Sequence, residues 1–239
     1  MKRFLIALLA ILTTTCAWTD EGKDVRKEEV GRLAEAGTVL TEVMSAPDNG
    51  IPGEILERAK CVAVVPSMLK GGFVVGGAYG KGVATCRTDK GQTGKEWSAP
   101  AFFRIEGGSF GLQIGGQAVD LVMVIMNERG MRALLSSKFK LGADASVAAG
   151  PVGRHVEGMT DWKLRAQVLT YSRARGVFAG ITLNGAAIHQ DRNATRDFYG
   201  RMVRFKTILS GAVEPPEGSE PFLSAVQHYS TVLAAEKTD

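Results

Sequence analysis

The sequence predicts an α+β fold: a single domain with a glycine-rich curved antiparallel sheet or barrel-like core, and amphipathic helices at its N- and C-terminal ends. Three observations predict it. Residues 71–116 interleave β-formers with glycine. Strand-like segments follow one another with too little helix between them for β-α-β units. Helical periodicity concentrates towards the two ends.

Val30, Leu33, Ala34, Gly37, Leu40, Thr41 and Met44 recur at helical spacing, with Lys27, Glu28, Arg32, Glu35 and Glu42 mostly elsewhere on the wheel, so a helix is expected from about Asp24 to Met44. The breaker cluster Ala46-Pro-Asp-Asn-Gly50 ends it, and a second helix is expected from Pro52, whose fixed φ suits a first turn. Cys61–Val65 reads as a short buried strand that stops before Pro66. In the glycine-rich segment and in Trp97–Ile105 we expect several strands with bulges or close backbone approaches, because glycine weakens strands and its density implies tight curvature. Ala118–Met126 is an apolar strand interrupted by Asp120, and Asn127 can cap a short helix through Ser136 or Ser137. Ala143–Gly150 and Trp162–Tyr171 read as further strands, and Val177–Leu183 closes a hairpin whose turn carries Arg173, Arg175 and Gly176. After His189, the stripe Phe198, Met202, Phe205 and Leu209 predicts one helix with Arg192, Arg196 and Arg204 on its far side. Gly211 and Pro215-Pro216 end that helix, and Pro221–Ala235 forms the last one. No linker or repeat divides the chain, so one domain is expected over residues 25–236.

The 239 residues are 45% hydrophobic and 23% charged, an ordinary globular balance. Lys2-Arg3 precede an apolar run from Phe4 to Leu12 and then small residues to Ala17, the pattern of a signal peptide over residues 1–17. Lipidation at Cys16 is the alternative. The expected location is therefore exported, periplasmic or envelope-associated. Without Lys2 and Arg3 the formal charge falls from +4 to +2, too little to argue nucleic-acid binding. Cys61 and Cys86 lie in apolar, strand-like surroundings; we read them as two buried thiols, with a disulfide as the alternative.

Enzyme signatures are weak. Gly107-Gly-Ser-Phe-Gly111 matches Gly-x-Ser-x-Gly, and Asp144 or Asp161 with His155 or His189 would supply a triad around Ser109. A nucleophile elbow, however, needs a helix directly after the serine, and Leu112–Gly116 is strand-like. Gly76–Lys81 lacks the leading glycine and trailing Ser/Thr of a mononucleotide loop. Dispersed histidines and acids give no metal-ligand spacing, and no metal or other cofactor is expected. Asp120, alone in its apolar strand, reads as a buried acid paired to arginine or backbone N–H, with a catalytic acid as the alternative.

The basic positions are what is left. Lys163, Arg165 and Arg173 share one parity on the strand entering the hairpin, Arg175 sits at its turn, and the Arg192/Arg196/Arg204 face can add to them. Guanidinium groups fit phosphate bidentately, so an acidic lipid headgroup is the ligand these positions suit.

Gly71-Gly-Phe-Val-Val-Gly-Gly77, Trp97-Ser-Ala-Pro100, Gly107–Gly115, Ser146–Arg154, Tyr171-Ser-Arg-Ala-Arg-Gly-Val-Phe-Ala-Gly180 and Phe198-Tyr-Gly200 together resemble the successive motifs of the SYLF lipid-binding domain family, in order over about residues 25–236. The resemblance implies a non-enzymatic phospholipid- or phosphoinositide-binding module, whose eukaryotic members sit beside SH3 or FYVE domains and are tied to membrane traffic and actin organisation. It also implies that a basic amphipathic N-terminal helix carries much of the lipid binding. Here that helix keeps Lys23, Arg26, Lys27 and Arg32 but adds Asp24, Glu28, Glu29, Glu35 and Glu42. The expected partner is a phospholipid membrane surface rather than nucleic acid, met by Lys23, Arg26, Lys27, Arg32, Lys163, Arg165, Arg173 and Arg175. A serine hydrolase using Ser109 and a structural or interaction protein of the envelope are the alternatives.

Overall fold

A computed structural model describes residues 21–46, 50–73, 75–88, 96–110, 115–136, 138–151, 166–174, 177–179, 183 and 185–235. The N-terminal helices are α1 (Glu21–Met44) and α2 (Gly53–Arg58). Five strands follow: β1 (Cys61–Phe73), β2 (Val75–Thr88), β3 (Glu96–Trp97), β4 (Ala101–Phe110) and β5 (Gly115–Ile125). Then come α3 (Glu128–Leu135), β6 (Lys138–Lys140), β7 (Val147–Ala149), β8 (Val168–Ala174), β9 (Val177–Ala179) and β10 (Ala187–Gln190). The chain closes with α4 (Arg192–Tyr199), α5 (Phe205–Leu209) and α6 (Glu220–Ala235).

The strands form one sheet in the order β6-β10-β4-β2-β1-β5-β8-β7, with β3 on β2 and β9 on β8. Neighbours pair antiparallel except β7 and β8, which run parallel. The sheet curls into a half-barrel, and side-chain alternation divides the core in two. Inward-facing Ala63, Val65, Ala84, Phe103, Ile105, Leu121 and Met123 form one cluster with Phe139 from one end of the sheet, Val168 from the other, and Leu134, Phe205 and Leu209 from α3 and α5. The opposite parity, Val62, Val64, Val83, Phe102, Val122, Val124 and Leu169, packs outward against Leu33, Ala36 and Leu40 of α1, Leu56 of α2, Phe198 of α4 and Phe222 of α6. The expected α+β fold with a curved glycine-rich sheet and helices at both ends is the fold observed.

The two edge strands, β6 and β7, are consecutive in the chain, and the Leu141–Ala145 bridge lies between them. Each is three residues long, and Lys138-Phe-Lys140 alternates exposed, buried, exposed.

Local details follow the residues closely. Asn127 caps α3, its side chain accepting from the Gly130 N–H at 3.0 Å, and Pro52 stands at the start of α2. The hairpin is present: Ser172 faces Ala179 and Ala174 faces Val177, while Arg175 and Gly176 at its turn lie outside the described residues.

Four expectations are corrected. The first strand does not stop at Pro66; it continues to Phe73 through an irregularity between Val65 and Met68, where Ser67 adopts φ 49°. Proline contributes no ladder donor, and the bulge absorbs that loss. Cys61 and Cys86 are not free thiols: they face each other in the β1–β2 register and form a disulfide inside the inner cluster. The apolar stripe after His189 is broken into α4 and α5, because Gly200 turns the chain at φ 68° in the left-handed region that glycine adopts freely. Finally, Ala187–Gln190 and Lys138–Lys140 are strands, and their brevity hid them from a periodicity reading.

Candidate functional site

Helix α1 turns its apolar stripe into the protein. Leu33, Ala36 and Leu40 are fully buried against the sheet and α6, so this face has no apolar surface to offer a membrane while α1 stays docked. Its cations divide accordingly. Arg32 is buried: its Nη1 lies 2.6 Å from Glu29 Oε2, its Nη2 donates to Glu28 and Glu29, and its guanidinium stands 5.7 Å over the Phe102 ring. Arg26 rests over Phe198 at 5.6 Å and donates to the Glu217 carbonyl. Lys27 is exposed, and the Lys23 side chain lies outside the described residues.

The acids that set this helix apart have partners on the sheet. Glu28, Glu35 and Glu42 recur every seventh residue and so form one stripe along α1. Glu28 meets Lys81 of β2 at 3.5 Å, Glu35 accepts from the Ser67 hydroxyl at 3.3 Å, and Glu42 pairs with Arg173 of β8. Asp120 of β5 completes the arrangement, taking the Ser67 N–H at 3.0 Å and Arg173 Nη2 at 3.3 Å. Asp120 is thus paired to an arginine and a backbone N–H as the sequence suggested, but it is half-buried rather than buried. Arg173 serves two carboxylates, which leaves its guanidinium a structural tie between α1, β5 and β8.

Glu29 is the most perturbed acid. Burial pushes its carboxyl up to about 7, Arg32 opposes the shift, and Glu28 and Asp191 reinforce it. Desolvation outweighs the attraction of Arg32 because Glu29 is buried almost completely. The folded state therefore holds this proton more tightly than the unfolded chain does. Glu29's contribution to stability is fully present below about 4.5, its ordinary value, and is lost as pH rises through about 7. Thermal melts across that window are expected to show the decline in the wild type and a flatter profile in Glu29→Gln; identical slopes would exclude Glu29 as the source.

Of the hairpin candidates, Lys163, Arg165 and Arg175 lie outside the described residues. Other cations gather elsewhere. Helix α4 packs on the N-terminal half of α1 through the Phe198–Arg26 contact. Lys27 is exposed beside Arg26 on α1, Arg192 and Arg196 are exposed on α4, and exposed Arg204 and Lys206 share one cavity lining with Arg192. None of these five exposed cations has a carboxylate partner among the described residues.

A cavity of about 450 Å³ opens at one margin of this region, lined by Arg104, His189, Gln190, Arg192, Arg204 and Lys206 among others. Arg104, His189 and Lys206 were missed because they come from three distant segments. The signal available was the parity of β4: polar Arg104 and Glu106 alternate with buried Phe103 and Ile105.

The serine motif takes a different place. Ser109 lies within β4, opposite Gly76 of β2, rather than at a strand-to-helix turn. Asp144 accepts from the Lys140 N–H in a turn at 2.7 Å, and His189 is in β10. His155 and Asp161 lie outside the described residues. Ser109 therefore lacks the elbow that exposes a nucleophile. Among the described residues no helix is long and apolar enough to cross a membrane.

The family profile "Ysc84: Las17-binding protein actin regulator" matches residues 106–229, slightly over half of the chain. The chain is 33% identical over 213 residues to the SH3 domain-containing YSC84-like protein 1 of Rattus norvegicus, covering 88% of this chain and 61% of that protein. To the LAS seventeen-binding protein 3 of Saccharomyces cerevisiae it is 34% identical over 206 residues, covering 84% of this chain and 44% of the relative. Protein YSC84 of the same yeast is 35% identical over 183 residues, 75% of this chain and 38% of its own length. The chain thus spans between about two fifths and three fifths of these relatives. With its motifs, its curved sheet and these similarities in agreement, the chain belongs to the Ysc84/SYLF family.

Proposed function

We propose that this chain binds anionic phospholipid at a cell-envelope membrane and catalyses no reaction. The observation that carries the reading is the set of exposed cations on α1, α4 and the start of α5 that have no carboxylate partner among the described residues: Lys27, Arg192, Arg196, Arg204 and Lys206. Fixed cations with no intramolecular carboxylate are available to counter a negative surface. Export is supported by the signal-like residues 1–17 and by the Cys61–Cys86 disulfide, which suits an oxidising compartment. Binding to Las17 and regulation of actin belong to the names of the relatives; an exported chain would not meet a cytoplasmic partner.

Flotation with phosphatidylglycerol vesicles tests the reading. Binding is expected at low salt and is expected to weaken as salt is added. The double variant Lys27→Gln/Arg196→Gln should lower affinity roughly thirtyfold, on about 1 kcal/mol for each cation near an anionic surface. No flotation at low salt would sink the proposal, and salt-insensitive binding would remove its electrostatic basis.

A further inference from the structure

We infer that the cavity lined by Arg104, His189, Arg192, Arg204 and Lys206 is a phosphate-binding site, shaped for a phosphomonoester or similarly compact polyanion. The inference deepens the membrane reading by naming the ligand chemistry at one margin of the cationic region.

Three observations carry it. First, five basic residues line a cavity of about 450 Å³, with no carboxylate in its lining among the described residues. Arg104 alone of the five has an ion pair among the described residues, through Nε to Glu106 at 3.1 Å. Guanidinium forks around a concave volume match phosphate oxygens better than they match a flat surface charge.

Second, the sheet sets basic residues side by side. His189 of β10 lies opposite Lys138 of β6 and Arg104 of β4, and Arg104 in turn lies opposite Lys81 of β2. Cross-strand partners share a face, so Lys138, Arg104 and Lys81 place three cations along one row, with His189 between the first two. Glu28 and Glu106 offset Lys81 and Arg104, whereas Lys138 has no carboxylate partner among the described residues. A bound anion would add counter-charge to that row.

Third, the cavity wall is held in place before any ligand arrives. The Gln190 side chain donates to the Val203 carbonyl at 2.7 Å and accepts from the Phe205 N–H at 3.1 Å, tying the residues on both sides of Arg204 to the end of β10. Gly200, at φ 68°, turns the chain so that this segment returns towards the sheet. A prearranged wall lowers the ordering cost of binding.

Isothermal titration of the full chain with pyrophosphate is expected to show one saturable site. Arg204→Gln and Lys206→Gln alter exposed side chains and should each weaken it roughly ten- to a hundredfold, the loss of one charge-assisted contact. Arg196→Gln lies in the same cationic region but outside the cavity and should leave pyrophosphate affinity unchanged. No saturable heat from the wild type, or equal losses in all three variants, overturns the site. Vesicles of phosphatidic acid and of phosphatidylglycerol, matched in surface charge, then separate the sources. A preference for phosphatidic acid that Arg204→Gln abolishes assigns a lipid headgroup; pyrophosphate binding without that preference assigns a soluble phosphate. Vesicle binding without a pyrophosphate site overturns the cavity and leaves the membrane reading standing. The reverse result overturns the membrane reading alone.

Discussion

Replacing Cys61 and Cys86 together with alanine is expected to lower folding stability by about 3 kcal/mol, seen as a fall in the urea midpoint. The disulfide joins residues separated by 25 positions, and releasing it restores the loop entropy of the unfolded chain. Alanine is the informative replacement: both sulfurs lie in the inner apolar cluster, where a serine hydroxyl would add its own desolvation cost. Treating the wild type with reductant should move the midpoint in the same direction. A midpoint unchanged by either treatment would mean that the two thiols are not joined in solution.

The second large effect is expected at Gly82. A Cβ there would come within 2.6 Å of both the Phe103 ring and the Val64 carbonyl oxygen, and within 2.8 Å of Val65. Flexible side chains can retreat from such a collision; a backbone oxygen in the middle of a paired strand cannot. Gly82→Val should therefore exceed the usual overpacking cost of about 1–3 kcal/mol and leave little soluble, cooperatively melting protein. Gly108→Ala supplies the comparison, because nothing lies within 4 Å of the Cβ it would add. Equal stability of the two variants would show that the curl of the sheet does not depend on the missing side chain at Gly82.

That contrast also shows what could be read from the sequence. Glycine density between residues 71 and 116 announced curvature, but only the packing tells Gly82, which makes room for Phe103, from Gly108, which borders open space. Helix α1, the Asn127 cap and the hairpin rested on local signals, namely periodicity, a capping side chain and alternation around a turn, so they were legible. The Cys61–Cys86 bond and the path of β1 beyond Pro66 depend on register between strands, which no local signal encodes. The site was harder still. Charge on α1 was visible, yet whether Arg32 and Arg173 face a ligand or a carboxylate depends on residues such as Glu29 and Asp120 that only folding brings near. Arg104, His189 and Lys206 carry no sequence signal as a group because β4, β10 and α5 meet only through the sheet order.

The short edges of the sheet bear on aggregation. A broad β-sheet ordinarily risks recruiting a further strand along its unpaired margins. Here the outermost strands of the main order are three residues each, and β6 presents Lys138 and Lys140 to solvent on either side of buried Phe139. An incoming chain would find few free backbone groups and would have to approach two ammonium charges. The long strands β1, β2 and β5 lie in the interior of the order, each with a neighbouring strand on either side. Strand order thus protects the folded protein from edge-to-edge association at the margin where its sequence is least apolar.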